Sequence, residues 1–164
     1  MENEYVYTGQ YYDLVYGSYK NDIITQCEVK MILGYTKAQS TILDIGAGTG
    51  RLTIPLLKNN RKMFALDTSE AMLKELRKKL KKYNLVIGGI INDKINDVSL
   101  KKKVDCVVMF GNVISEMAKT REEGVEVLRV IKGLMKKNSK LIISQSTMKN
   151  MDWKSEEEKG GGCV

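Results

Sequence analysis

The feature that most restricts this chain is a glycine cluster, Gly46-Ala47-Gly48-Thr49-Gly50, set directly after the apolar run Thr41 to Ile45. A short apolar run bounded by turn residues reads as a buried strand. The glycines let the backbone turn sharply there and approach a neighbouring group closely. The next stretch, Arg51 to Asn59, has helical spacing, with Leu52, Leu56 and Leu57 inward. Pro55 lies in its first turns, where a missing N–H is tolerated. The helix start behind the turn offers N–H groups and a positive dipole end to a carboxylate or phosphate. A tight strand-to-helix turn without a ligand is the plainer alternative.

The alternation continues downstream. Lys62 to Leu66 is a second strand, closed by Asp67. Ser69 then offers an N-cap and Glu70 suits a helix start. Met72, Leu73, Leu76 and Leu80 form the inward stripe of that helix, with Arg77 and lysines opposite. Asn84 to Ile91 is a third strand, and Val104 to Phe110 a fourth, apolar enough for the middle of a parallel sheet. Thr120 with Glu123 matches a capping box, opening a helix to about Met135 with Val127, Leu128, Ile131 and Leu134 inward. Leu141 to Ser144 is a fifth strand. Upstream, a tyrosine-rich stretch at 5–19 precedes a helix over 22–34 with Ile24, Cys27 and Met31 on its inner face. Such alternation implies right-handed crossovers and a doubly wound, mostly parallel α/β sheet with helices on both faces. One domain is expected over 1–147, with 1–35 as an N-terminal cap and 148–164 as a frayed tail.

Composition removes several functions. The chain has no histidine, so Ser-His and Cys-His nucleophiles are out. Cys27, Cys106 and Cys163 are far apart, so no zinc site is expected; the first two sit in apolar patterns and read as core residues. No apolar run approaches the roughly 20 residues of a membrane span, and the polar, acidic start is not a secretory signal. A cytoplasmic protein without membrane partners is therefore expected. The net charge is +7, carried on lysine-rich faces such as Lys74 to Lys82 and Lys101 to Lys103. Solvated surface is the favoured reading of these over a nucleic-acid footprint.

Ligands of such sheets bind beyond the carboxyl ends of the strands. Three loops there carry suitable chemistry. The glycine turn is the first. Asp67, 21 residues beyond Gly46, is the second. An acid at that distance can accept two hydrogen bonds from a ribose diol, and Thr68 and Ser69 take the capping role, leaving Asp67 for a ligand. Asn92-Asp93 is the third, where a carboxylate can accept from an adenine amino group. An ordinary turn Asp is an equal alternative, and Asp97 competes. NAD and S-adenosylmethionine both fit this far. The third glycine, Gly50, comes one residue earlier than the dinucleotide fingerprint requires, and Arg51 stands at the expected place. That turns the balance away from a dinucleotide.

At this point the residues resemble a family. Ile42-Leu43-Asp44-Ile45-Gly46-Ala47-Gly48-Thr49-Gly50-Arg51 resembles motif I of class I S-adenosylmethionine-dependent methyltransferases. Leu66-Asp67-Thr68-Ser69-Glu70-Ala71-Met72-Leu73 is similar to that family's D-x-S-x-x-M-L segment. Val104 to Val108 resembles its fourth strand. Leu128 to Ile143 resembles the helix and fifth strand, with Asn138-Ser139 in place of the usual Pro-Gly turn. Tyr11 to Gly17 is like the opening segment of the small-molecule members. The resemblance implies an S-adenosylmethionine cofactor with Asp44 and Gly46, Ala47, Gly48, Thr49 and Gly50 around its methionine part. It implies Asp67 on the ribose hydroxyls, Thr68 and Met72 beside the adenine, and Asp93 at the adenine amino group. It places Phe110 to Asn112 beside the reactive methyl, with Tyr12 and Tyr19 closing over it.

The sequence departs from the family after the fifth strand, where a helix and a C-terminal β-hairpin are expected and missing. Methyl transfer to a small-molecule acceptor is the leading expectation. A non-catalytic S-adenosylmethionine-binding module and an RNA-directed methyltransferase are the alternatives. No catalytic residue is singled out; Asp13, Glu116 or a tyrosine are available for proton transfer.

Overall fold

The computed structural model of the chain describes residues 9–16 and 22–145. Tyr19 and the expected tail at 148–164 lie outside the described residues. The elements run α1 (Gly9–Tyr16), α2 (Ile23–Tyr35), β1 (Thr41–Ile45), α3 (Thr53–Lys58), β2 (Lys62–Leu66), α4 (Glu70–Lys82), β3 (Gly89–Ile91), a 3-10 turn (Ile95–Asp97), β4 (Val104–Met109), α5 (Val113–Met117), α6 (Arg121–Leu134) and β5 (Met135–Ile143). The five strands form one sheet in the order β3-β2-β1-β4-β5, and every neighbouring pair is parallel.

The order reverses between β1 and β4, so the crevice for a ligand opens beyond their carboxyl ends. Alternation along β1 divides its residues between two layers. Leu43 and Ile45 pack with Val107, Met109 and the α6 stripe Val127, Ile131 and Leu134. Ile42 faces the other way with Met63, Cys106 and Val108, covered by Val29 and Ile32 of α2 and Leu56 of α3. Ala65 extends that layer toward Leu73, Leu76 and Leu80 of α4. Each fully buried Leu or Ile contributes about 1.5–3 kcal/mol, so these two layers dominate the stability of the scaffold.

The helix caps form as the sequence indicates. Ser69 Oγ accepts from the Met72 N–H at the start of α4, and Thr120 with Glu123 closes a capping box at the start of α6. Four details differ. The buried stripe of α2 is Thr25, Val29 and Ile32; Ile24, Cys27 and Met31 are exposed. Val29 and Ile32 fill the layer under β1, and on the same face the Arg51 guanidinium donates to Thr25 Oγ1 at 2.8 Å and pairs with Glu28. On α6, Val127 takes the core position and Leu128 is left exposed. β3 is three residues rather than eight, because Asn84 turns left-handed at φ 51° and Leu85 N–H returns to Leu80 C=O at 3.0 Å. β5 starts earlier than its apolar run, but its register breaks between Met135 and Lys140. Asn138 is left-handed there at φ 63° and Ser139 Oγ donates to Lys136 C=O at 2.6 Å. The turn expected at Asn138-Ser139 thus lies inside the strand. Among the described residues, no helix is long and apolar enough to cross a membrane, and no side-chain group is arranged to hold a metal ion.

Candidate functional site

The parallel register pairs Ile45 with Leu66, so β1 and β2 release their chains at the same level. Two hydrogen bonds then sew the turn to β2: Gly46 N–H and Ala47 N–H both donate to Leu66 C=O, at 2.8 and 3.0 Å. The turn needs glycine on two counts. Gly46 and Gly50 have φ of 71° and 88°, a region that L side chains enter at a cost. A Cβ on Gly46 would lie 2.4 Å from Val113 Cγ2, and one on Gly50 2.5 Å from Leu76 Cδ1.

Asp67 points into this turn. Its Oδ2 accepts from Gly48 N–H at 2.7 Å and its Oδ1 from Ser69 N–H at 2.8 Å. The expectation that Asp67 stands free of the helix start is therefore corrected: both oxygens already hold one backbone donor. A carboxylate has about four acceptor positions, so two remain for ligand hydroxyls. The Gly48 donor is occupied by this carboxylate, which turns the glycine loop away from phosphates and supports the argument against a dinucleotide. The third loop joins here as well, because Asp67 N–H donates to Ile91 C=O at 3.1 Å and the Asn92 amide donates to Asp67 C=O at 3.0 Å. Asp93 is exposed and accepts from Lys94 N–H at 2.9 Å, the ordinary turn role weighed from the sequence.

Asp44 lies under the turn and is 2% exposed. Burial pushes its carboxyl up to about 6, against the opposing pull of the Thr53 hydroxyl, which donates to Oδ2 at 2.6 Å, and of the Arg51 charge. Asp44, the turn backbone, Tyr12, Arg51, Leu52, Phe110 and Gly111 line a narrow cavity of about 40 Å³. This is room for the slender end of a ligand. Thr49 also lines it, and Met72 lies against Gly48, 5% exposed; Thr68 is exposed at the rim. Phe110 is 5% exposed, and the next residues, Gly111 and Asn112, are both left-handed before α5 begins.

One contact set was not legible in the sequence. The Thr49 hydroxyl donates to Asp13 Oδ1 at 2.6 Å, Asp13 pairs with Lys79, and Lys79 Nζ donates to Thr49 C=O at 3.0 Å. This three-way clasp holds α1 over the turn and brings Tyr12 to the cavity. It also engages Asp13, which the sequence offered for proton transfer. Gly9 allows the close docking, since a Cβ there would lie 2.6 Å from Ala71 C=O. The acid in the tyrosine-rich stretch is the sequence signal of it; Lys79, expected with the other lysines on the outer face of α4, is half-buried instead.

Two carboxylates at the turn suit a ligand bearing hydroxyls; Arg51, which also lines the cavity, is engaged by Thr25 and Glu28. Known proteins agree with this chemistry. A family model described as "Methyltransferase domain" matches residues 42–138. An uncharacterized methyltransferase of Geobacillus sp. is 29% identical over 115 residues, covering 70% of this chain and 51% of that protein. The structure of an S-adenosylmethionine-dependent methyltransferase from Clostridium acetobutylicum ATCC 824 is similar with a TM-score of 0.66 at 18% identity, covering 82% of this chain and 54% of that one. Magnesium protoporphyrin IX methyltransferase from Synechocystis PCC 6803, with bound SAM, is similar with a TM-score of 0.58 at 19% identity, covering 68% and 53%. The chain thus spans about half the length of these relatives.

Proposed function

This chain belongs to the methyltransferase-domain family, whose cofactor is S-adenosylmethionine, and on that premise we propose that it transfers a methyl group to a small-molecule acceptor. The observation that carries the site assignment is the Gly48–Asp67 hydrogen bond, which brings the glycine turn and the carboxylate of the second strand to one point. When bound, the cofactor supplies an electrophilic methyl carbon on a positively charged sulfur.

The chain's own residues bind and orient. Asp67 accepts from the ribose hydroxyls through its two remaining positions. Asp44 and the Gly46 to Gly50 backbone hold the methionine part, and a positive ammonium group there favours the ionised form of Asp44. Met72 and Thr68 flank the adenine, with Asp93 at its amino group. Phe110 and Tyr12 shield the reacting centre from water, and Tyr19 belongs to the same assignment. Methyl transfer from such a donor is mainly a positioning task, needing no covalent intermediate. No residue is assigned as base, and Asp13 is committed to Thr49 and Lys79.

A small-molecule acceptor is supported by the acceptor named for one similar structure, magnesium protoporphyrin IX. A cytoplasmic location belongs to the same proposal. Incubation with S-adenosylmethionine and a metabolite panel, read by mass spectrometry, is expected to yield S-adenosylhomocysteine and one product heavier by a methylene. Failure to bind S-adenosylhomocysteine up to high micromolar concentration in calorimetry ends this reading.

A further inference from the structure

The net charge of +7 is not spread evenly over the fold. All strands of a parallel sheet begin at one end, here the end opposite the glycine turn. The segments leading into them, residues 35–41, 58–62, 81–88, 98–105 and 135–140, hold eleven lysines and one arginine against a single carboxylate, Asp105. That surplus of eleven exceeds the net charge of the whole chain and leaves the remainder at −4. Every strand start takes part, with Lys37, Lys62, Lys82, Lys102 and Lys137 at β1, β2, β3, β4 and β5, and all five are exposed.

Some of these charges have internal work. Arg61 donates to Leu33, Thr36 and Asn59 carbonyls and ties α2 to the start of β2. Lys136 pairs with Asp105. Lys58 and Lys82 flank the Tyr83 ring at 4.0 and 5.8 Å, at helix ends where cations offset the dipole. Lys101 to Lys103 follow no helix end, and none of the three has a carboxylate partner among the described residues. Their own repulsion has no structural compensation.

We infer that this end of the sheet is a docking surface for the sugar-phosphate backbone of a single-stranded nucleic acid. Five strand starts in a row, about 4.8 Å apart, make a stripe about 19 Å long. A stripe fits one phosphodiester strand, which cationic grooves follow without reading sequence. A bilayer would call for a disc of cations around several protruding apolar groups, and among the described residues the large apolar side chains exposed at this end are Tyr35 and Val86. A five-residue strand, about 17 Å, separates the stripe from the turn, so a nucleic acid bound here is a tether rather than the methyl acceptor.

The test uses the full chain and a fluorescein-labelled single-stranded oligonucleotide of about 20 bases, as RNA and as DNA, followed by anisotropy. Binding at low salt is expected, with log affinity falling against log salt at about −0.7 for each phosphate contacted. The triple variant Lys101→Glu, Lys102→Glu, Lys103→Glu is expected to bind at least about tenfold more weakly, while the matching triple Arg variant keeps affinity. Both should keep the S-adenosylhomocysteine affinity of the parent and a thermal midpoint no lower than the parent's, which separates this inference from the methyltransferase assignment. Absence of binding at low salt, affinity indifferent to salt or to the Glu variant, or capture only by anionic phosphatidylserine vesicles would each overturn it.

Discussion

Replacing Gly46 by alanine loads the turn at two points that the structure separates. The first is backbone: at φ 71° an L residue pays about 1–2 kcal/mol. The second is steric: the new Cβ would lie 2.4 Å from Val113 Cγ2 and 3.0 Å from Cγ1, where contacts are ordinarily 3.4–4 Å. Val113 is a stiff β-branched residue, 8% exposed within the core beneath β4. Forcing it aside resembles other overpacking changes, about 1–3 kcal/mol. Gly46→Ala should therefore cost roughly 2–5 kcal/mol, the sum of these two ranges. Gly111→Ala is the control, because Gly111 has φ 83° but nothing within 4 Å of its would-be Cβ. It should cost only the backbone part, about 1–2 kcal/mol. Urea midpoints for both variants, and for Gly46→Ala combined with Val113→Ala, give the measurement. The second substitution is expected to reduce the penalty of the first, since it removes the overlapping methyls. Equal costs at Gly46 and Gly111, or a penalty at Gly46 unchanged by Val113→Ala, would refute the steric account.

Other outcomes follow from single residues. Burial holds the Asp44 proton up to about 6 against an ordinary 3.8, so the folded state binds that proton more tightly than the unfolded chain does. Stability should then fall as pH rises from about 4 to about 6 and level off above; Asp44→Asn should flatten that segment of a urea-midpoint profile. Gly133→Ala, in the helical part of α6 with open space around it, should stabilise by about 0.5–1 kcal/mol; a lower thermal midpoint would contradict this. Iodoacetamide with peptide mapping should label exposed Cys27 and spare Cys106, whose thiol burial pushes up to about 12; comparable rates at the two would contradict it.

The sequence carried the parts of the fold that local chemistry decides. β1 and β2 start and stop where their apolar runs do, because Gly46 and Asp67 end them abruptly. The caps of α4 and α6 were readable because Ser69, Thr120 and Glu123 act on donors within three residues. What was illegible depends on partners far along the chain. The α2 stripe was misplaced because the groups that select its face lie far along the chain: Ile42 and Cys106 under Val29 and Ile32, and Arg51, 26 residues from Thr25. Asp13 and Thr49 are 36 residues apart, so no periodicity announces their contact. At the site, the convergence of the glycine turn with Asp67 was foreseeable from spacing. The backbone donors that already occupy Asp67 were not: Gly48 N–H comes from the turn 19 residues back, and Ser69 N–H from the bend that Asp67 itself opens.

The central claim is that the glycine turn and Asp67 hold one adenosyl group, with Asp67 on its ribose. Calorimetric titration with S-adenosylhomocysteine and with its 2′-deoxyribose analogue, on the parent and on Asp67→Asn, tests it as a cycle. A hydrogen bond to a charged group contributes about 1.5–3 kcal/mol, so the parent should favour the hydroxylated ligand by roughly 10- to 100-fold. Asp67→Asn should lose most of that preference. An undiminished preference in the variant, or none in the parent, would contradict the account.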